Sequence, residues 1–233
     1  MAGDAIEPSI QVIWIDMDAA DAPVAEFWQS MDLDERTRAR GFRTAKDQRR
    51  FIVRRGTLRA LLAPRLGCPP FQIRYTQNGF GKLSVAGSEI RFNVSRSSSL
   101  ALFVLTREIE VGCDVERVNP KFDFEAIAAR FFGPKQVAAF RSVPTPLRRD
   151  WFYRHWTLRE AYVKCSGTGL SVPPEIIDIP LTAEGAPILL GTQSIAYAPL
   201  ETLPGYHAAL VADARSIQLR AETRSARAIF DSA

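Results

Sequence analysis

Histidine and cysteine are both scarce in this chain, and long apolar runs are missing. The only histidines are His155 and His207, and the only cysteines Cys68, Cys113 and Cys165. Three widely separated cysteines exclude a disulfide framework and any Cys-x-x-Cys metal site, and two histidines argue against a histidine-based zinc site. No stretch approaches the roughly 20 apolar residues that a membrane span needs. Met1-Ala-Gly-Asp-Ala-Ile-Glu7 lacks the basic start and apolar centre of a signal peptide. The expectation is a reduced, cytoplasmic protein without zinc and without a membrane partner.

Acidic residues are thin in one region. Arg36, Arg38, Arg40, Arg43, Lys46, Arg49, Arg50, Arg54, Arg55 and Arg59 crowd together, in a chain whose net charge is only +4. Such a cluster suits nucleic acid, a phosphorylated small molecule or an acidic protein. No zinc-finger or RNP motif accompanies it, so nucleic acid is not expected. With 46% hydrophobic and 24% charged residues over 233 positions, the chain can bury a sizeable core, as one domain or two small ones.

Taken in order, Ser9 to Ile15 reads as a buried strand, apolar on both faces, and Val24 to Met31 as a short helix. A helix follows from Ala45 to Leu66, with Val53, Thr57, Ala60, Leu61 and Pro64 on its inner side. Gly56 in its interior points to close packing or ligand approach. Strands are expected over Phe71–Tyr75, Lys82–Val85, Glu89–Val94 and Leu100–Thr106, then a tight connection at Arg107-Glu108. Helices are expected over Phe124–Phe132 and from Pro134 to Val143. The chain also repeats itself in style at a spacing of a little over 100 residues. Leu66-Gly-Cys-Pro-Pro-Phe-Gln-Ile73 matches Thr168-Gly-Leu-Ser-Val-Pro-Pro-Glu-Ile-Ile177, Asn78-Gly79 matches Glu184-Gly185, and Leu100–Leu105 matches His207–Val211. Two copies of one helix-plus-hairpins unit are expected, residues 1–110 and 111–233. Ala214 to Ala233 reads as one more short strand and a mobile tail.

Two segments carry the candidate chemistry. Ile109 to Glu116 alternates, with Ile109, Val111, Cys113 and Val115 on one face and Glu110, Gly112, Asp114 and Glu116 on the other. Gly112 leaves that second face open to a ligand. Trp151 to Lys164, between Pro146 and Gly167, has no internal Pro or Gly and reads as a helix with Trp156, Glu160 and Lys164 stacked along one side. If the helix crosses the strand, three carboxylates and a lysine converge, a seat for a hard divalent cation and the phosphates it neutralises. Trp156, Tyr162 and Cys165 read as core, His155 as a satisfied buried or edge histidine, and Gly167 as a helix C-cap.

Val111-Gly-Cys-Asp-Val-Glu-Arg117 followed by Trp156-Thr-Leu-Arg-Glu-Ala-Tyr-Val-Lys164 resembles the two signature motifs of the 4′-phosphopantetheinyl transferases, roughly (V/I)-G-(V/I)-D-x-E and W-(S/T/C)-x-K-E-(A/S)-x-x-K. Ser166-Gly-Thr-Gly-Leu170, Gly81-Lys82 and Phe92-Asn-Val-Ser-Arg96 are similar to that family too, and the length suits its larger, Sfp-like class. The resemblance implies an α+β fold of two pseudo-symmetric halves, each a helix with an antiparallel sheet, with the active site in the cleft between them. It implies a monomeric transferase that moves 4′-phosphopantetheine from coenzyme A to a serine of an acyl or peptidyl carrier protein, releasing 3′,5′-ADP with Mg²⁺. On that reading Asp114, Glu116 and Glu160 hold the metal, and Glu160 and Lys164 are catalytic. Arg38, Arg50, Lys82, Ser95, Arg96, Asp114 and Lys164 bind coenzyme A. Arg96 stands where the family has histidine, Leu83 where it has proline, Arg159 where it has lysine, and Gln136 where a second candidate base is common. A metal-dependent phosphodiesterase or nuclease, and a non-catalytic module binding coenzyme A or a carrier protein, are the alternative readings.

Overall fold

The computed structural model describes residues 7–107, 109–169, 173, 177, 188–190 and 193–233. Strand β1 (Ser9–Asp16) is buried on both sides because two cores meet on it: Ile13 and Ile15 enter one, Ile10, Val12 and Trp14 the other. Helices α1 (Val24–Ser30) and α2 (Leu33–Arg40) lead to the 22-residue helix α3 (Ala45–Leu66). The Thr44 hydroxyl accepts from the Asp47 N–H at its start, and Gly67 ends it in the left-handed conformation at φ 64°. Gly56 is explained by packing: a Cβ there would lie 2.1 Å from Phe27 Cγ of α1. Pro64, expected on the inner side, faces outward, two residues before the helix ends.

The segment expected as a strand over Phe71–Tyr75 is instead a 3₁₀ turn at Pro70–Gln72, with Phe71 exposed, and strand β2 begins only at Tyr75 (Tyr75–Gln77). Pro70 at the first turn position presets its φ for that turn. Then come β3 (Leu83–Val85), β4 (Ile90–Ser97), β5 (Leu100–Arg107) and β6 (Val111–Arg117). Helices α4 (Phe124–Phe131), α5 (Pro134–Ser142) and α6 (Thr145–Ser166) follow, then β7 (Ile188–Leu190), β8 (Gln193–Pro199), β9 (Tyr206–Ala212), β10 (Gln218–Thr223) and α7 (Ala226–Phe230). Glu108, Leu170, the Glu184-Gly185 turn and most of the 168–177 match lie outside the described residues. No helix among the described residues is long and apolar enough to cross a membrane.

Among the described residues the strands form two four-stranded sheets, ordered β10-β1-β5-β4 and β6-β9-β8-β7, and a small β2-β3 hairpin. All pairings among the described residues are antiparallel except that of β1 with β10. The fold is α+β, and its topology repeats. In the first sheet β5 lies beside β1 and β4 outside it; in the second, β9 lies beside β6 and β8 outside it. Between the paired strands of each sheet runs a 22-residue helix ending at a left-handed glycine, Gly67 or Gly167. The C-terminal elements return to the first sheet and its core. β10 pairs with β1, and Ala226 and Ile229 of α7 are buried in the core under α3, so this end is docked and not a loose tail.

Candidate active site

The site is built where α6 crosses β6. Pro146 sits in the first turn of α6, where a missing N–H costs nothing, and the helix stays unbroken to Gly167 at φ 67°. Gly112 decides how closely the two pack. A Cβ on it would lie 2.1 Å from the Ala161 carbonyl oxygen and 2.3 Å from the Cys165 nitrogen. The space expected for a ligand is therefore filled by the helix backbone, which brings α6 onto β6. Cys113 points the other way into the apolar core, with Val111 and Val115, and burial pushes its thiol up to about 12.

Lys164 reaches across this contact. Its Nζ donates to Asp114 Oδ1 at 2.6 Å and to Ser95 Oγ at 3.0 Å. Burial works against the ammonium, but the charges of Asp114 and its neighbours outweigh that, and Lys164 titrates above the ordinary lysine value. Asp114 is only 3% exposed; its Oδ2 is buried with no hydrogen-bond partner, as is Glu160 Oε1 one helical turn before Lys164. Burial, and then the charge of Asp114, raise Glu160 above its ordinary value and push Glu116 up to about 7. Among the described residues no three His, Cys, Asp or Glu side chains already stand as a metal-holding group. The two orphaned carboxylate oxygens, and the burial and neighbouring charge that hold Glu116 and Glu160 above their ordinary values, nevertheless fit a hard cation, which would satisfy both.

A second feature adjoins it. A cavity of about 330 Å³ is lined by Arg38, Arg54 and Arg55 from the first half, by Phe80 and Lys82 from the β2-β3 hairpin, and by Lys164 and Gly167 from the end of α6. Arg54 is largely buried, its Nε lacks a hydrogen-bond partner, and its guanidinium is pushed down to about 9 by burial and by the charges of Arg96, Arg55 and Arg38. Arg38, Arg54 and Arg55 thus crowd one wall, with the charge of Arg96 felt from nearby. The remaining arginines of the cluster divide sharply. Arg59 is fully buried and spends its guanidinium on Asp32, Glu35 and the carbonyls of Pro70 and Ile73. Arg50 pairs with Asp18 through two hydrogen bonds, of 2.7 and 2.5 Å, and does not line the cavity. Arg96 is exposed. Lys82 lines the cavity, but its ammonium is already held by Glu110 and by the Cys165 carbonyl at the end of α6. Asn78, in the same turn, donates to the Gly167 carbonyl at 2.8 Å.

Several residues have structural duties. Trp156 stacks on Phe152 and meets Phe131 edge-on within an aromatic cluster under α4 and α5. His155 stacks on Trp151, its Nδ1 lies 2.9 Å from the Trp151 carbonyl, and burial drops it to about 4, so it is neutral at physiological pH. Tyr162 and Cys165 are core, and Gln136 is buried on α5. In the sequence Arg54 and Arg55 stand out only as members of a basic cluster, and Ser97 does not stand out at all. The signal for Ser97 was its place two residues after Ser95 on the same strand, which alone reads as a solvated edge.

Comparison with known proteins gives this geometry a class. A family model described as the 4′-phosphopantetheinyl transferase superfamily matches residues 110–211, from β6 through α6 to β9. The chain is 34% identical over 175 residues to the 4′-phosphopantetheinyl transferase HetI of a Nostoc species, covering 73% of each protein. It is 23% identical over 174 residues to the 4′-phosphopantetheinyl transferase Sfp of Bacillus subtilis, covering 74% of this chain and 76% of Sfp. It is 29% identical over 156 residues to the mouse L-aminoadipate-semialdehyde dehydrogenase-phosphopantetheinyl transferase, covering 61% of this chain and 50% of that protein. The chain belongs to the 4′-phosphopantetheinyl transferase superfamily and is an enzyme of that class.

Proposed function

We propose that the enzyme takes its phosphopantetheine from coenzyme A, transfers it to a serine hydroxyl of an acyl or peptidyl carrier protein, releases 3′,5′-ADP, and depends on Mg²⁺. The observation that carries this reading is the junction of Asp114 and Glu160, each with an orphaned buried oxygen, with Lys164 on the wall of an arginine-lined cavity. Asp114, Glu116 and Glu160 would hold the ion, which prefers oxygen ligands. When bound, it would neutralise pyrophosphate oxygens and stabilise charge on the departing phosphate.

The chain's own residues supply the rest. Lys164 donates to the phosphate oxygens from a position already fixed by Asp114. Arg38, Arg54 and Arg55 form the wall for the 3′-phosphate, where guanidinium forks grip phosphate in pairs of hydrogen bonds, and Arg96, whose charge reaches Arg54, would join them from outside the wall. Lys82 borders the same cavity and holds the β2-β3 hairpin against α6, while Ser95 braces Asp114. Arg50 contributes through Asp18 at most. Glu160 takes the serine proton, because its position near Lys164 is rigid and burial raises its basicity. Residues 1–110 serve mainly coenzyme A and 111–233 the metal and catalytic helix, in a monomer working in the cytoplasm.

Incubation with coenzyme A, Mg²⁺ and an apo carrier protein, read by intact mass, tests this reading. The carrier gains one phosphopantetheine arm per serine, with one 3′,5′-ADP released. An unmodified carrier with cleaved phosphodiester bonds would point instead to a phosphodiesterase. An unmodified carrier with no cleavage would reduce the chain to a binding module.

A further inference from the structure

Strands β4 and β6 are edge strands of different sheets, and no backbone ladder joins them. An edge strand carries a row of unpaired N–H groups that must be satisfied. Here side chains do it. Asn93 Oδ1 accepts from the Cys113 N–H at 3.0 Å, Ser95 Oγ from the Val115 N–H at 3.3 Å, and Ser97 Oγ from the Arg117 N–H at 3.0 Å. The partners advance together, each 20 residues apart. Alternate side chains of β4 thus stitch the outward amides of β6, one after another.

The two serines do something further. A backbone N–H can only donate, so each hydroxyl accepting one is left with its own proton to give elsewhere. Ser95 gives it to Asp114 Oδ1 at 2.8 Å, and Ser97 gives it to Glu116 Oε2 at 2.9 Å. Each serine is therefore a bracket: an amide of β6 fixes its oxygen, and it fixes one carboxylate oxygen in turn. Ser95 Oγ accepts from Lys164 Nζ as well, whereas Ser97 Oγ bridges the Arg117 amide and Glu116.

We propose that Ser97 is a positioning residue for Glu116: it pins one carboxylate oxygen so that the other is presented to the cation shared with Asp114 and Glu160. This rests on the reading of those three acids as cation ligands. It assigns Ser97 no contact with coenzyme A, since Ser97 is absent from the residues lining the arginine-walled cavity. Groups that orient a metal ligand from behind matter nearly as much as the ligand itself.

The test compares the parent chain with Ser97→Ala and Ser97→Thr. Mn²⁺ serves as the probe, its uptake followed by electron paramagnetic resonance without coenzyme A. Transfer at varied Mg²⁺ and the KM for coenzyme A are measured alongside. Ser97→Ala is expected to weaken Mn²⁺ binding by about 10–100-fold, the range for outer-shell partners. The Mg²⁺ needed for half-maximal transfer should rise in parallel, with little change in the KM for coenzyme A. Ser97→Thr keeps the hydroxyl and should restore most of both. If Ser97→Ala binds Mn²⁺ like the parent, or Ser97→Thr is as impaired as Ser97→Ala, the positioning role is wrong. If the parent chain itself takes up no Mn²⁺, the cation reading falls and this inference with it.

Discussion

Lys164 Nζ sits 2.6 Å from Asp114 Oδ1, joining the last turn of α6 to the middle of β6. The pair is asymmetric: the carboxylate is almost wholly enclosed, while the lysine side chain is about three-tenths exposed, at the cavity wall. Replacing Lys164 by Met removes the charged donor to a buried carboxylate, whose Oδ1 still accepts from the Ser95 hydroxyl. That should destabilise the fold by about 1.5–3 kcal/mol, the worth of a hydrogen bond between charged groups. Transfer should fall by about 10²–10³, as when one fixed donor to a developing charge is lost. Urea titration and steady-state rates check the two numbers separately. Normal transfer by the variant would mean that the lysine serves only the carboxylate.

Arg54 should show stability and function pulling in opposite directions. Its guanidinium remains charged at neutral pH although burial and three neighbouring arginines disfavour that charge. Arg54→Met relieves the crowding, so the ligand-free melting temperature should rise. Coenzyme A should bind about tenfold to a hundredfold more weakly, the worth of a hydrogen bond to a charged group. Dephospho-coenzyme A, which lacks the 3′-phosphate, should lose much less. Calorimetry with both ligands decides, and equal losses would remove Arg54 from the 3′-phosphate wall.

Gly112 should tolerate no side chain. Gly112→Ala pushes a methyl into the α6 backbone at Ala161 and Cys165, which cannot move aside as a flexible side chain could. A cost of about 1–3 kcal/mol or more is expected for such overpacking. Because the same contact aligns Lys164 with Asp114, transfer should drop even under conditions where the variant is fully folded. A variant with parental melting temperature and rate would show that α6 can shift freely on β6.

Glu116 gives a pH signature. Burial and then the Asp114 charge push it up to about 7, so the folded chain keeps a proton that the unfolded chain has already lost. Metal-free stability from this group is therefore full at acid pH and is lost as pH rises from the ordinary carboxyl range through about 7. His155, pushed down to about 4 by burial, works in the opposite sense: its contribution is lost as pH falls through that range. The difference between melts with Mg²⁺ and with chelator isolates the acids. That difference should be small on the acid side of 7 and grow as pH rises through it, since the ion needs ionised carboxylates. A pH-independent difference would exclude Glu116 as a ligand.

Much of this was legible in the chain, for local reasons. The alternation of Ile109 to Glu116 gave the apolar and acidic faces of β6, and the unbroken pattern from Trp151 to Lys164 gave the helix that crosses it. Gly112 was visible, but a glycine beside acids reads equally well as room for a ligand or for a backbone. Only the position of α6 decides. The turn at Pro70–Gln72 was misread because apolar Phe71 and Ile73 mimic strand alternation, whereas the Pro-Pro pair governs the backbone. The docked C-terminus was missed for a different reason. Strand β10 has mostly exposed residues, and its partner β1 lies some two hundred positions away, so no local pattern betrays the pairing. Arg54 looked like any other member of a basic cluster until the packing of Phe27 on Gly56 fixed the roll of α3.

The proton transfer tests the central claim most directly. Glu160→Gln preserves shape and one ligating oxygen but removes the base, and Gln136, an amide already, cannot replace it. Single-turnover transfer to a carrier protein, with coenzyme A pre-bound and Mg²⁺ saturating, is the measurement. The predicted result is coenzyme A binding within a few-fold of the parent and a transfer rate lower by about 10²–10⁴, the range for general base catalysis. Transfer at the parental rate, or a Gln136→Ala defect as deep as that of Glu160→Gln, would contradict it.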